Sequence, residues 1–188
     1  MTVPGLIFLD IDGVANSLGT AIAFGKSYDD QYWSPVSINL LKSLTERTRS
    51  SIVLTSTKRK DYATEEECIR SFKEIFKFYN WDIPLIGRTT SLGYRENELT
   101  KRVETRGHEI NLWLKENGSR VCYNDNWIIV DDDSDFMPHQ MARHVKTTFC
   151  EGFNFISYVQ ALNLLGYTDF HLNVHAESTL NHFKTFKI

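Results

Sequence analysis

The feature that most constrains this chain is a short apolar run that ends in two carboxylates, in the segment GLIFLDIDGVANS at residues 5–17. The run from Leu6 to Asp10 predicts a buried strand. Asp10 and Asp12 lie one residue apart, directly before Gly13. Adjacent acids at a strand end are also common in solvated turns and helix caps. The segment by itself therefore raises the question of what these two carboxylates do.

Apolar runs alternate with segments of helical periodicity along the chain, and this pattern predicts an α/β fold with a mainly parallel sheet. Five strands are expected, at Leu6–Asp10, Ser51–Thr55, Asp82–Ile86, Trp127–Asp131 and Val145–Thr148. Four helices are expected, in SPVSINLLKSLTER, TEEECIRSFKEIFKFY, GHEINLWLKENG and NFISYVQALNLLG. Ser34 is a predicted N-cap, Thr64 with Glu67 a predicted capping box, and Gly166 a predicted helix stop.

Three further segments have a mixed or polar character. Residues 14–33 are expected to form a loop or small flap after the first strand. The aromatic residues of this segment are interpreted as covering the core, and stacking on a nucleobase is the alternative. These residues are Tyr28, Tyr32 and Trp33. Residues 87–105 predict a long polar connection, and residues 166–188 are interpreted as a C-terminal extension.

Composition excludes several classes of protein. A chain of 188 residues with 41% hydrophobic content suits one compact domain. The net charge of −3 comes from interspersed charges, so any anion site must be local. The three cysteines form no CxxC and are expected to be reduced thiols. No apolar run approaches the roughly 18 residues that span a bilayer, and the N-terminus lacks a basic leader. A soluble cytoplasmic protein without a membrane partner is expected.

Polar residues follow three of the predicted strands, and the carboxyl ends of parallel strands form a common ligand crevice. The first strand end gives Asp10 and Asp12, and the second gives Thr55, Ser56, Lys58 and Arg59. The fourth gives Asp131, Asp132, Asp133 and Asp135. Two unit charges about 4 Å apart repel by roughly 4 kcal/mol at an effective dielectric near 20, so clustered carboxylates need a cation or protonation. All-oxygen ligands suit Mg²⁺ better than zinc, and the hydroxyl and basic residues suit phosphate oxygens. This combination indicates a phosphoryl-transfer site.

The segments FLDIDGV, IVLTS, TRGHEI and IIVDDD follow the order of the four sequence motifs of haloacid dehalogenase-like (HAD) phosphatases, over roughly residues 5–165. Within that superfamily the chain most resembles the capless HAD domain of RNA-repair proteins. It is more distantly similar to the phosphatase domains of polynucleotide kinase-phosphatases. The resemblance implies a Rossmann-like fold with helices on both faces of the sheet and a minimal cap or none. It also implies a single domain over residues 1–188 with its core at about 5–165.

The resemblance also implies roles for individual residues. Asp10 is expected to be the nucleophile that forms an aspartyl-phosphate, and Asp12 the general acid and base. Thr55 and Arg106 are expected to bind the phosphoryl group. Ser56, Lys58 and Arg59 are expected to bind substrate, although Lys58 stands where the close relatives tend to carry Trp. The expected Mg²⁺ ligands are Asp10, the backbone carbonyl of Asp12, Asp131 and Asp132.

Two of these assignments have alternatives within the sequence. The basic motif residue could be Lys101 or Arg102, and Arg106 is preferred because it directly precedes the predicted amphipathic helix. Asp135, four residues after Asp131, could replace Asp132 as the second acid. Otherwise Asp133 and Asp135 are interpreted as helix caps.

The expected function is that of a Mg²⁺-dependent phosphatase acting on polynucleotide ends, with a 3′-phosphate in RNA or DNA repair as the expected substrate. The expected partners are this phosphorylated substrate, on single-stranded RNA or DNA ends, and a repair kinase or ligase. The alternative is a phosphatase for small nucleotides or sugar phosphates. A receiver domain is disfavoured because the third strand end, IPLIGRTT, carries no Asp. A catalytically inactive binding domain is the remaining hypothesis.

Overall fold

The central element of the protein is a five-stranded sheet in which every neighbouring pair of strands is parallel. The computed structural model describes residues 4–27, 32–93, 105–118 and 125–167. The strands are β1 (Leu6–Leu9), β2 (Ser51–Leu54), β3 (Leu85–Arg88), β4 (Trp127–Asp131) and β5 (His144–Lys146). Their order across the sheet is β3-β2-β1-β4-β5. The predicted α/β class and parallel sheet are confirmed.

The helices connect these strands, and two of them begin at N-caps that the sequence predicts. They are α1 (Leu18–Ala23), α2 (Pro35–Thr48), α3 (Glu65–Lys77), α4 (Thr105–Asn117) and α5 (Phe155–Leu164). Two 3₁₀ helices span Thr57–Asp61 and Pro138–Arg143. The Ser34 hydroxyl accepts a hydrogen bond from Ser37 N at 3.2 Å, and the Thr64 hydroxyl accepts one from Glu67 N at 3.1 Å. Both predicted N-caps are therefore confirmed.

Alternate residues of the strands face two separate hydrophobic layers. On one face, Ile7 and Leu9 of β1 belong to a buried cluster that includes residues of α2, α3 and α5. On the other face, Phe8 packs edge-to-face on Trp113 of α4, with ring centroids 5.6 Å apart. Because side chains alternate along a strand, both faces of the sheet are covered by helices. The two layers fix the sheet and thereby the position of its carboxyl edge.

The structure corrects the bounds of three elements. The third strand begins at Leu85 and not at Asp82, because Pro84 has no N–H to give to the ladder and joins β2 only through its carbonyl, which accepts Ile52 N at 2.8 Å. β3 also continues through Gly87 and Arg88, which were expected in the loop. The fifth strand is His144–Lys146 and not Val145–Thr148. α4 already includes Arg106 in its first turn.

The segment after β1 contains a short helix, α1, which the sequence analysis expected to be loop or flap. Trp33 packs against the core, with its ring 5.3 Å from that of Phe76 at the centroids, so its interpretation as core cover is confirmed. Tyr32 lies next to Phe24, with centroids 5.1 Å apart. Tyr28, Lys101, Arg102 and residues 168–188 lie outside the described residues.

Cys68 and Cys150 are free thiols. Within the described ranges, no helix combines the length and the apolar character needed to cross a membrane.

Candidate active site

Three carboxylates meet at the carboxyl edge of the sheet, where β1 and β4 lie side by side. The register pairs Leu9 with Val130, and Asp10 N donates to Val130 O at 3.0 Å, so Asp10 lies beside the end of β4. One oxygen from each of Asp10, Asp131 and Asp132 lies within 4.8 Å of the other two. Asp10 is 2% exposed and Asp131 is fully buried. The parallel register thus brings together acids that are more than 100 residues apart in the sequence.

The turn after Asp10 requires glycine at position 13 for two independent reasons. Gly13 has a φ of +72°, in the left-handed region that other residues rarely adopt. A Cβ at this position would also lie 2.2 Å from Cγ of Asp132. Gly13 therefore allows the turn to pass directly against the carboxylate of Asp132.

Asp12 lies at the rim of this cluster, and two side chains hold it in place. Asn16 Nδ2 donates to Asp12 Oδ1 at 3.0 Å, and Lys58 Nζ lies 3.3 Å from the same oxygen. The side chain of Asp12 remains 31% exposed, unlike that of Asp10. Lys58, predicted to bind substrate, thus pairs with Asp12 in this structure.

Arg106 provides the positive charge among the acids. It extends from the first turn of α4, and its Nη1 forms an ion pair with Asp131 and lies 3.9 Å from Asp10 Oδ1. Its Nη2 lies 3.3 Å from Asp133 Oδ2, and its Nε lies 3.8 Å from Asp135 Oδ1. Of the three basic candidates, Arg106 lies at the acids, and the other two fall outside the described residues.

The second carboxylate to join Asp10 and Asp131 in the cluster is that of Asp132. Asp135 has a different position, since its Oδ2 accepts the backbone N–H of Arg106 at 3.2 Å and its backbone carbonyl accepts Gly107 N at 3.1 Å. Asp135 thus caps the start of α4, as the helix-cap interpretation predicted.

Burial and mutual repulsion perturb the acids of the site. Burial raises the pKa of Asp10 to about 6, against the opposing effect of Arg106. Burial and the neighbouring charge of Asp10 raise the pKa of Asp131 well above its ordinary value. Burial and the charge of Asp133 raise the pKa of Asp132. One guanidinium therefore does not fully compensate the buried negative charge.

The acid cluster fits a hard divalent cation. Mg²⁺ prefers oxygen ligands and is held by one or two carboxylates plus waters and phosphate. The Oδ1 atom of Asp10 is buried and has no hydrogen-bond partner among the described residues, so it is an available oxygen ligand. Asp131 and Asp132 supply carboxylates within reach of the same ion.

Hydroxyl groups line the neighbouring half of the edge, at the ends of β2 and β3. Thr55 N donates to Leu9 O at 2.9 Å, and Thr89 N donates to Leu54 O at 2.9 Å, so both residues extend the ladder by one position. In the described part of the chain, both hydroxyls are buried without a hydrogen-bond partner. By contrast, the hydroxyl of Ser56 accepts Lys58 N at 3.4 Å and caps the 3₁₀ helix Thr57–Asp61.

A comparison with protein families identifies the family to which the chain belongs. The sequence profile described as "HAD domain in Swiss Army Knife RNA repair proteins" matches residues 6–155, which include every site residue discussed so far. The chain belongs to this HAD family. No curated protein and no solved structure matches the chain significantly. The resemblance to the HAD domains of RNA-repair proteins is confirmed, and this HAD domain is an enzyme of the HAD phosphatase type.

Arg59 of the HAD domain has a position that the sequence analysis did not foresee. It is 3% exposed, and its Nε donates to Thr89 O at 2.9 Å. Its Nη1 donates to the carbonyl of Thr55 and, at 2.6 Å, to that of Ser56. Its Nη2 forms an ion pair with Glu109 of α4. Arg59 was predicted to bind substrate, but the protein's own groups engage it, and it ties together the ends of β2, β3 and the helix α4.

Sequence reasoning missed two residues of this HAD domain. Glu109 is 2% exposed and compensates the buried Arg59, and it also accepts Leu92 N at 3.0 Å. The available signal was an acid next to Ile110 on the buried side of the predicted helix. Thr89 was missed because its strand was predicted to end at Ile86, which left the Thr pair of GRTT inside a loop.

Proposed function

We propose that this HAD domain is a Mg²⁺-dependent phosphomonoesterase that removes a terminal 3′-phosphate from RNA or DNA ends through an aspartyl-phosphate. One observation carries the proposal. At adjoining strand ends, a carboxylate oxygen of Asp10 and the hydroxyl of Thr55 are both buried, and neither has a hydrogen-bond partner in the described ranges. A cation and a phosphoryl group together supply what both lack, since the cation binds the carboxylate oxygen and the phosphoryl oxygens accept the hydroxyl proton.

In the proposed reaction, the carboxylate of Asp10 attacks phosphorus and the ester P–O bond breaks, which leaves an acyl phosphate on Asp10. Asp12 donates a proton to the leaving oxygen and then removes one from the water that hydrolyses the acyl phosphate. The contacts of Asp12 with Asn16 at 3.0 Å and Lys58 at 3.3 Å support this role, because they hold a partly exposed acid beside the buried nucleophile.

The phosphoryl group is bound from two sides. Thr55 donates its hydroxyl proton to one phosphoryl oxygen, and Arg106 makes charge-assisted hydrogen bonds to others. The 3.9 Å distance between Arg106 Nη1 and Asp10 Oδ1 leaves the guanidinium next to the position of the reacting phosphorus. Asp10, Asp131, Asp132 and the Asp12 carbonyl would hold Mg²⁺, which neutralises charge on the phosphoryl oxygens when bound.

The choice of a polynucleotide substrate rests on the family and on local charge. Members of the family are described as domains of RNA-repair proteins. Although the net charge is −3, Lys60 and Arg88 line the clefts at the ends of β2 and β3, beside the hydroxyl half of the edge. Such local positive charge favours a phosphodiester backbone, and it makes binding sensitive to salt.

The proposal is tested by phosphate release from a 3′-phosphorylated oligonucleotide and from mononucleotides, each with and without Mg²⁺. We expect Asp10→Asn to reduce kcat by about a thousandfold or more, because the amide is not a nucleophile. The matched control is Asp82→Asn, an exposed aspartate on the segment before β3, which we expect to leave kcat unchanged. Retained activity in Asp10→Asn refutes the aspartyl-phosphate. Equal activity on mononucleotides, without salt inhibition, favours the small-nucleotide alternative.

A further inference from the structure

A cleft of about 280 Å³ lies between the 3₁₀ helix Thr57–Asp61 and the end of β3. It shares the lining residues Arg59, Lys60 and Ser91 with a second cleft of about 310 Å³ that reaches Arg106. The two clefts therefore adjoin, and together they connect the proposed phosphoryl site with the end of β3. The cleft of about 280 Å³ is called the β3 cleft below.

The β3 cleft is lined by a residue whose buried hydroxyl the proposed reaction does not use. Thr89 lines the cleft and is 1% exposed, and its Oγ1 has no hydrogen-bond partner among the described residues. A desolvated hydroxyl without a partner is unfavourable, and such groups in native structures usually have a ligand or another functional reason. The unpartnered hydroxyl thus points to an acceptor that enters the cleft.

The position of Thr89 sets its distance from the reacting phosphate. β3, β2 and β1 are consecutive in the sheet, so Asp10, Thr55 and Thr89 follow three neighbouring strands. Since neighbouring strands lie about 4.8 Å apart, Thr89 is roughly 10 Å across the sheet from Asp10. That separation is too large for another oxygen of the same phosphoryl group, and it suits the next phosphate of a polynucleotide.

The charged groups of the β3 cleft favour an anion. Lys60 is exposed, lines both clefts, and forms no ion pair within the described residues. Arg88 is held at the cleft by hydrogen bonds from its Nη1 to Arg59 O at 2.5 Å and Tyr62 O at 3.0 Å. Glu65 is the one carboxylate among the described lining residues, and it accepts the backbone N–H of Arg88 at 3.1 Å. Lys60 and Arg88 outnumber Glu65, so the described lining of the cleft has a net positive charge.

We infer that the β3 cleft binds the internal phosphodiester next to the terminal phosphate, with Thr89 donating a hydrogen bond to it and Lys60 supplying the charge. The inference rests on the proposed function and deepens it, because it makes a second phosphate of the substrate a specificity determinant. A substrate with one phosphate leaves the cleft empty, and a dinucleotide or longer end fills it.

The test compares two dinucleotide 3′-phosphates that differ only in the internal linkage, one a phosphodiester and one a neutral methylphosphonate. The measured quantity is the ratio of kcat/KM for the charged over the neutral substrate. We expect a ratio of about ten in the wild type, since a hydrogen bond to a charged group contributes about that factor. The ratio should fall to near one in Thr89→Val and Lys60→Gln. It should persist in Thr89→Ser and in Lys77→Gln, a control lysine exposed at the far end of α3.

A ratio near one in the wild type, or a ratio of about ten in both Thr89→Val and Lys60→Gln, overturns the inference and leaves the phosphatase proposal intact. Absence of phosphate release from both dinucleotides refutes the proposed function instead. In that case, calorimetry on the same dinucleotides and variants gives the ratio of the two dissociation constants. Tighter binding of the charged dinucleotide, lost in Thr89→Val and Lys60→Gln, supports recognition of the charged linkage by the β3 cleft, and equal binding overturns it. Circular dichroism spectra establish that each variant is folded.

Discussion

The two halves of the sheet's carboxyl edge carry opposite chemistry. β1 and β4 end in the carboxylates of Asp10, Asp131 and Asp132, whereas β2 and β3 end in the hydroxyls of Thr55 and Thr89. On the acidic half, like charges crowd around one guanidinium, that of Arg106. On the hydroxyl half, neutral groups are buried without hydrogen-bond partners in the described ranges. Both halves are therefore less stable than a fully paired edge, but for different physical reasons.

The difference teaches what each half requires from a ligand. The acidic half needs positive charge, because burial raises the pKa of Asp10 and Asp131. The hydroxyl half needs hydrogen-bond acceptors, because a buried O–H without a partner has lost its hydration. A cation and a phosphate satisfy the two requirements together. The comparison also predicts how each half responds when its side chains are changed.

The largest effect on stability is expected from removing the counterion of the acidic half. Arg106→Ala leaves buried carboxylates uncompensated, and we expect the free energy of unfolding to fall by about 3–5 kcal/mol at pH 8 without Mg²⁺. Urea unfolding measures the loss, and added Mg²⁺ should recover part of it. The control is Arg143→Ala, which removes the partly exposed pair with Asp125 at 3.0 Å and a cation–π contact with Trp127, and it should lose about 1–2 kcal/mol. Equal losses in the two variants would contradict the burial argument.

The next effect concerns the turn that brings the acids into contact. Gly13→Ala introduces a Cβ 2.2 Å from Cγ of Asp132 at a φ of +72°, and we expect a loss of about 2–4 kcal/mol. Gly25→Ala is the matched control, since its φ is +64° but no atom of the described residues lies within 4 Å of the added Cβ. It should lose about 1 kcal/mol, from backbone strain alone. A Gly13→Ala loss no larger than that of the control would show that Asp132 moves freely aside.

The acidic half of the edge could be predicted from the sequence more fully than the hydroxyl half. The acids could be placed from sequence because each directly follows an apolar strand, and a parallel sheet aligns such ends whatever the length of the connections. Asp10, Asp131 and Asp132 therefore meet as predicted, although their chemical roles remain predictions. The helices were predictable for a similar reason, since capping residues and apolar stripes are local signals.

The hydroxyl half was less predictable because it depends on the register of one strand and on a contact between distant segments. Pro84 delays the start of β3 to Leu85, and the strand continues to Arg88, which brings Thr89 beside Thr55. The burial of Arg59 depends on Glu109, 50 residues later in the chain. The hydrophobic periodicity of a helix does not show which basic residue will form an ion pair with a buried acid. Arg59 was predicted to bind substrate because it follows a predicted phosphate-binding strand end. Its partners in the structure are groups of the protein itself.

The acidic half should also give the stability of the protein a characteristic dependence on pH. Because the pKa of Asp10 is raised to about 6, the native state keeps a proton that the unfolded chain has lost between about pH 4 and pH 6. The stabilisation from this group is full below about pH 4 and is lost as pH rises through 6. Without Mg²⁺ at pH 8, Asp10→Asn should therefore be more stable than the wild type, on the order of 1–3 kcal/mol.

This difference should shrink as the pH is lowered toward 4, and chemical unfolding at several pH values measures it. Mg²⁺ should act in the opposite direction, stabilising the wild type at pH 8 and having little effect on Asp10→Asn. The exposed control Asp82→Asn should follow the wild type at every pH. A wild type whose stability rises between pH 4 and pH 8 relative to Asp10→Asn would contradict the raised pKa.

The smallest effect on stability is expected on the hydroxyl half, and it is the sharpest test of the comparison. Thr55→Val removes a hydroxyl that has no hydrogen-bond partner in the described part of the chain, so we expect stability to change by no more than about 0.5 kcal/mol. Thr48→Val is the matched control, because the equally buried Thr48 hydroxyl donates to Leu44 O at 2.7 Å and lies 2.7 Å from Ser50 Oγ. It should lose about 1–2 kcal/mol.

Activity should reverse this order. Thr55→Val should lower kcat for phosphate release by about 10–100-fold, because it removes a donor to the phosphoryl group, whereas Thr48→Val should leave kcat unchanged. Thr55→Ser should restore activity, since it returns the hydroxyl. If Thr55→Val destabilised the protein as much as Thr48→Val and kept full activity, the Thr55 hydroxyl would be an ordinary structural group. The proposal that the hydroxyl half binds phosphate while the acidic half binds metal would then be refuted at Thr55.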